Sequence, residues 1–139
     1  MNLALIIADQ VPPIGDLDQT LTSLGYRIDM CKEERDVIGK LSNSDYRLVL
    51  VMEDYLNGHP NIEKHIFYLP QKKRRNMLFI LVSSHHKTLD SFIAFSKNFN
   101  VVMNVSDLPK FSEILNITVS RYNDLYRGFK KIQEKEEFL

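Results

Sequence analysis

The chain has 139 residues, 44% of them apolar, the size of one domain able to bury a single core without disulfide or metal staples. Eighteen basic and eighteen acidic side chains leave a formal net charge of zero, which excludes a global field that would draw the protein to nucleic acid or an anionic membrane. The lone cysteine, Cys31, cannot close an internal disulfide and fits a reducing compartment.

In chain order, Leu3 to Ala8 is an apolar stretch too short for a signal-peptide core and without basic residues ahead of it, so it reads as a first buried strand. Further apolar runs follow at Arg27 to Cys31, Leu48 to Met52, Leu78 to Ser83 and Val101 to Val105. They alternate with segments of helical periodicity, the pattern of parallel strands joined by crossover helices. LALIIA, LVLVM and LFILVS are continuously apolar, as in strands covered on both faces, whereas YRIDMC alternates and belongs at an edge. No run approaches the ~20 apolar residues that span a bilayer, which predicts a soluble, cytoplasmic protein.

Between the strands, Leu17, Leu21 and Leu24 share a helix face that Gly25 ends. Val37, Ile38 and Leu41 mark a second helix, stopped by the turn residues Ser42 to Asp45. Ile62, Ile66 and Leu69 mark a third, stopping before Pro70. A fourth runs from Leu89 to Phe95, with Thr88 as its cap and Phe92, Ile93 and Phe95 expected on the buried side. A last helix starts at Asp107 with Pro109 in its first turn. Along it Phe111, Leu115, Thr118, Tyr122, Leu125, Phe129 and Ile132 form a heptad seam, widened near its start by Ile114 and Ile117. Drawn to about Glu137 such a helix is ~45 Å long, longer than a small α/β domain. Its final turns should project and meet the same helix of a second copy through Tyr122, Leu125, Phe129 and Ile132. The expected division is a domain over residues 1–120 and a projecting helical continuation over 121–139.

LGYRIDMC, SDYRLVLVMED and MLFILVSS, in this order, resemble the second, third and fourth strand regions of the response-regulator receiver. The resemblance implies an α/β, three-layer (βα)5 flavodoxin-like parallel sheet of order 2-1-3-4-5, with the extended C-terminal helix appended. Receivers bind Mg²⁺ with an acidic pair after strand one, end strand three with the aspartate that accepts a phosphoryl group, and end strand four with Ser or Thr. They end strand five with Lys-Pro, whose lysine pairs with the phosphoryl oxygens. Here Asp9 stands for the pair beside Ala8 and Gln10, and Ser83 is present. Met52 falls at the acceptor, and Asn104, Val105 and Ser106 follow strand five with no Lys-Pro. Asp9, Met52 and Ser83 therefore read as a vestigial receiver pocket, since a thioether neither attacks a phosphoryl donor nor holds Mg²⁺. The stretch from Leu69 to Asn104 also resembles uncharacterised bacterial proteins, some with a zinc ribbon ahead of it. One cysteine cannot build a Cys₄ site.

The reading that follows is a pseudo-receiver signalling domain, not an enzyme and without a cofactor, acting through an unidentified protein partner and a helix-mediated homodimer. Its rival is an active phosphoacceptor in which Asp54 or Glu53 turns inward to hold Mg²⁺ with Asp9. A third reading makes the basic run Lys72, Lys73, Arg74 and Arg75 a nucleic-acid adaptor, though four charges on one loop of a neutral protein suit a solvated turn better. Ser83 and Ser84 beside His85 and His86 suggest a nucleophile and base, but no G-x-S-x-G elbow is present. His59, His65, His85 and His86 lack zinc-ligand spacing, and the isolated glycines give no phosphate-binding loop.

Overall fold

The computed structural model describes residues 2–10 and 17–121. The chain divides into two compact units, Met1–Pro109 and Lys110–Leu139. In the first, five parallel strands form one sheet: β1 (Asn2–Ile7), β2 (Tyr26–Cys31), β3 (Tyr46–Met52), β4 (Leu78–Ser83) and β5 (Val101–Asn104). Their order is β2-β1-β3-β4-β5, as the sequence resemblance implies. The three continuously apolar strands are the three inner ones, and the alternating strand β2 lies at an edge. Inner parallel strands need apolar side chains in both directions because helices cover both faces.

One face carries Leu5, Ile7, Val49, Val51, Phe79, Leu81 and Val102 in a single buried cluster. It is covered by α2 (Glu34–Asn43) through Val37 and Leu41, by α3 (Glu53–Gly58) through Tyr55 and Leu56, and by α4 (Pro60–Phe67) through Ile62 and Ile66. Ala94 of α6 (Ser91–Lys97) and Phe99 just after it complete the cover. Strand alternation turns Ala4, Ile6, Leu48, Leu50, Ile80 and Met103 to the opposite face, all buried. Leu17 and Leu21 of α1 (Leu17–Ser23) are buried as the periodicity predicts, while Leu24, past the helix end, is exposed. Gly25 then takes a positive φ of 90°, a conformation that ends the helix and turns the chain into β2.

The connection from β3 to β4 is richer than the single helix read from Ile62, Ile66 and Leu69. No loop separates β3 from α3: Met52 is the last extended residue and Glu53 the first helical one. Pro60 starts α4 at a position where its missing donor costs nothing, and the residue before it, His59, leaves helical geometry. A four-residue turn, α5 (Gln71–Arg74), carries most of the basic run.

Helix α6 departs from expectation in two ways. Its cap is Asp90, whose carboxylate accepts from the Ile93 amide at 3.1 Å, because Thr88 is committed elsewhere. Phe92 and Phe95 are 76% and 87% exposed rather than buried; Ala94 is the residue that faces the sheet, with Ile93 half-buried beside it. Val105–Lys110 forms a 3₁₀ segment containing both Asp107 and Pro109.

The described part of the second unit is helix α7 over 111–121, where the Thr118 hydroxyl donates back to the Ile114 carbonyl at 2.8 Å. Tyr122, Leu125, Phe129 and Ile132, and the projecting continuation expected over 121–139, lie outside the described residues except for Arg121.

Candidate functional site

Parallel strands point their carboxyl ends to one rim of the sheet, where an open α/β fold forms its crevice. Three of the residues singled out in the sequence sit on that rim. Asp9 follows β1 and is exposed. Ser83 closes β4, and Met52 closes β3 as a half-buried side chain packed against the hydrophobic cluster. The register pairs Met52 with Val82, so the residue carried to Ser83 is the next one, Glu53.

Glu53 is 4% exposed. Its Oε1 accepts a hydrogen bond from Ser83 Oγ at 2.9 Å. Its Oε2 receives no hydrogen bond of good geometry; Lys97 Nζ at 3.6 Å supplies an opposite charge and His86 Nε2 lies at 3.2 Å. A carboxylate withdrawn from water is tolerated only with such partners. As the first residue of α3 it also faces the positive end of the helix. Asp54, the next residue, is exposed.

Ser83 is saturated. Its hydroxyl hydrogen goes to Glu53, and its oxygen accepts from the backbone amides of His85 and His86, both at 3.0 Å. A buried hydroxyl used in this way is closed to a substrate, and the His86 ring faces Glu53 rather than the Ser83 hydroxyl. Ser83 is thus a structural hydroxyl of the rim, while Ser84 and His85 are exposed.

The loop from Ser84 to Asp90 is fastened at its far side to β5. Asn104 donates from Nδ2 to the His86 carbonyl at 2.8 Å, and its own amide donates to Thr88 Oγ1 at 2.8 Å. Thr88 Oγ1 in turn donates to the Asp107 carboxylate, and the Leu89 amide to the Val102 carbonyl at 2.8 Å. Leu89 holds a φ of 65°, a strained conformation for a branched side chain that these bonds enforce. Asn104 thus has a defined place at the end of β5, but no lysine reaches the pocket from that strand. The ammonium group near Glu53 comes from α6.

Tyr55, the third residue of α3, donates from its phenol to the Lys32 carbonyl at 2.8 Å and stacks on His59, ring centroids 3.9 Å apart. His59 Nδ1 donates to the Tyr55 carbonyl at 2.8 Å, which fixes its tautomer. Burial, then the negative charges of Glu34 and Asp9, push the Tyr55 phenol up to about 12. Tyr46 is raised as well, by burial and by its 2.6 Å hydrogen bond to Asp29. Both tyrosines release their protons more readily in the unfolded chain, near pH ~10. The stability they contribute is therefore full below that pH and is lost as pH rises toward about 12, the folded value of Tyr55. Tyrosinate absorbance should show Tyr46 and Tyr55 ionising late, held back until alkaline unfolding, with Tyr26 raised as well by its burial. Uniform titration of all six tyrosines near pH ~10 in a folded protein would contradict this placement.

Of the basic run, Lys73 and Arg74 are committed to the fold. Lys73 Nζ donates to the Ser42 carbonyl at 2.6 Å, near the end of α2. Arg74 donates to the carbonyls of Ile66 at 3.3 Å and Asn98 at 2.7 Å, and its guanidinium lies 4.3 Å from the centre of the Phe79 ring. Cys31 is buried. Among the described residues no three His, Cys, Asp or Glu side chains are grouped to hold a metal ion, and no helix is long and apolar enough to cross a membrane.

No family model matches the chain and no curated protein sequence matches it. Solved structures do. The chain is similar to a CheY-like response regulator receiver domain protein from Methanospirillum hungatei JF-1, with 20% identity over 87% of this chain and 98% of that one, at a TM-score of 0.57. It is also similar to the receiver domain of NtrC4 from Aquifex aeolicus, with 16% identity over 84% of this chain and 98% of that one, at a TM-score of 0.56. The fold is that of the receivers, a flavodoxin-like α/β sheet with helices on both sides.

Proposed function

We propose that the protein is a non-catalytic receiver-like signalling domain that works through protein contacts, and that Glu53 stands in the place of the phosphoacceptor. The observation that carries this reading is the buried Glu53 carboxylate, already bonded to Ser83 and flanked by His86 and Lys97. In a receiver, phosphorylation creates a new anion beside the strand-four hydroxyl and biases a contact surface between two states. Here an anion is built in, one methylene longer than an aspartate, and it already holds the hydroxyl. The domain then rests in one state, and its signal is the presence of a partner rather than of a phosphoryl group.

Sequence reasoning assigned the acceptor position to Met52; the strand register favours Glu53. That change strengthens the non-catalytic reading. An acyl phosphate forms only on a carboxylate oxygen that a donor can approach, and Glu53 is buried with both oxygens engaged. Asp54 is exposed and, among the described residues, has no metal cluster beside it. The aromatic pair Phe92 and Phe95, displayed on the helix that carries Lys97, offers apolar surface to a protein partner.

Incubation with a small-molecule phosphodonor and Mg²⁺, followed by intact mass measurement, tests the reading. The unmodified mass should persist, and a labile phosphoryl adduct that disappears in Glu53→Gln or Asp54→Asn would overturn it. Homodimerisation through Tyr122, Leu125, Phe129 and Ile132 belongs to the same proposal and rests on the heptad spacing alone. Light scattering should give a dimer mass for the full chain and a monomer for a chain cut after Ser120; monomers for both would remove the dimer.

A further inference from the structure

The opposite rim, where the strands begin, holds an unrelated arrangement of charge. β1 and β3 run in register except at one place: Leu3 pairs with Tyr46, Ala4 pairs with Leu48, and Arg47 is left between them without a partner. Such a bulge re-aims the side chain it carries, and Arg47 is exposed although its neighbours Tyr46 and Leu48 are buried. A cleft of about 280 Å³ opens beside it, lined by Asp45, Arg47, Lys72, Lys73 and Asn76 over a floor of Tyr46 and Met77. Three cations and one carboxylate leave this cleft with two positive charges in excess in a chain that is neutral overall. Arg47 and Lys72 form no ion pair with any described residue.

Lys73 shows how the cleft is built. Its bond to the Ser42 carbonyl fixes α5 against the end of α2, so Lys72 and Asn76 are presented from a held turn rather than a free loop. Arg74 points away to the carbonyls of Ile66 and Asn98. The basic run is therefore divided between a scaffold and a concave site, and does not form a stripe that could track a nucleic-acid backbone. The volume is near the lower limit of small-molecule pockets, ~300 Å³. A guanidinium fork, an ammonium group and a side-chain amide converging on one cleft are donors suited to a tetrahedral oxyanion.

We infer that this cleft binds the phosphate group of a small phosphomonoester, at a site separate from Glu53. Arg47 lies near the start of β3 and Glu53 just past its end, a separation of about 20 Å, so occupancy here does not require any change at the carboxyl rim. Arg47 grips two phosphate oxygens, Lys72 balances the charge, and Asn76 donates a neutral hydrogen bond. Asp45 opposes the anion and is outweighed by the three cations of the cleft.

The isotope-labelled full chain would be titrated with inorganic phosphate, with adenosine monophosphate and with a short single-stranded RNA while its amide resonances are followed. Phosphate and the nucleotide should both give saturable shifts centred on Arg47, Lys72 and Asn76. The double variant Arg47→Gln, Lys72→Gln should weaken both by at least about tenfold at an unchanged melting temperature. Raising the salt concentration should weaken binding in the unmodified protein, a reading that does not depend on the variant folding. No saturable shift up to about 20 mM ligand, or binding indifferent to the double variant, would overturn the site. RNA bound far more tightly than the nucleotide, with shifts extending over Arg75, would overturn it in favour of a nucleic-acid surface.

Discussion

Glu53→Ala is expected to lower the unfolding free energy by about 2–3 kcal/mol, read from urea unfolding as a lower midpoint at an unchanged slope. The larger part comes from Ser83, whose buried hydroxyl loses its acceptor and cannot turn to water. The smaller part is electrostatic. The His86 and Lys97 side chains are 29% and 31% exposed, so each regains water when the carboxylate goes, and the pair contributes only about 1 kcal/mol or less. Glu53→Gln separates the two parts because an amide oxygen still accepts from Ser83. It should cost roughly 1 kcal/mol, less than half the effect of alanine. An alanine variant within about 0.5 kcal/mol of the parent would show that Glu53 does not hold the rim together.

The second large effect belongs to Arg74. Its guanidinium donates to carbonyls at the ends of two different helices, Ile66 in the last turn of α4 and Asn98 just after α6, and lies over the Phe79 ring in the core. Removing it takes the 2.7 Å donor from the Asn98 carbonyl, at a helix end where backbone donors run out, while the Ile66 carbonyl keeps the Leu69 amide at 3.3 Å. Charge-assisted bonds to carbonyls and a desolvated cation-π contact together suggest a loss of about 2–3 kcal/mol for Arg74→Ala. Arg74→Lys should recover less than half of it, since a single ammonium cannot reproduce the planar fork. Lys72→Ala, on an exposed position of the same turn, should fall within about 0.5 kcal/mol of the parent. Equal losses at both positions would mean that the basic turn acts through net charge, not through these bonds.

These two residues also show which features were legible in the sequence. The strands were, because burial on both faces leaves an unbroken apolar run in β1, β3 and β4 and an alternating one in β2. Strand order followed from the receiver resemblance, and the solved receivers carry the same fold. The candidate site was legible only in part. Ser83 stands at the end of β4 as read from the sequence, while the apolar run in β3 ends at Met52 and so points to that residue rather than to Glu53, the one proposed above. Setting Leu48 opposite Leu78 would have placed Glu53 beside Ser83, a signal that lies in the pairing of two segments and not in either alone. His86 and Lys97 were beyond reach, because they approach Glu53 from a loop and a helix whose path depends on the Asp90 cap and the strained Leu89. The face of α6 toward the sheet is carried by the small Ala94 with Ile93, so the larger Phe92 and Phe95, which dominate the local apolar pattern, pointed to the wrong residues. Arg74 was hidden for a related reason: a run of four cations looks uniform until tertiary contacts assign each one a different partner.

The account turns on Glu53 holding the loop after β4 in one conformation through Ser83 and His86. Amide hydrogen exchange over Ser84 to Asp90, compared between the parent and Glu53→Ala under conditions where both are folded, measures this directly. Exchange in the variant should quicken by at least about tenfold in that loop, equivalent to ~1.4 kcal/mol of lost local protection, while β1 and β3 stay as they were. Identical protection of the loop in the two proteins would contradict the account.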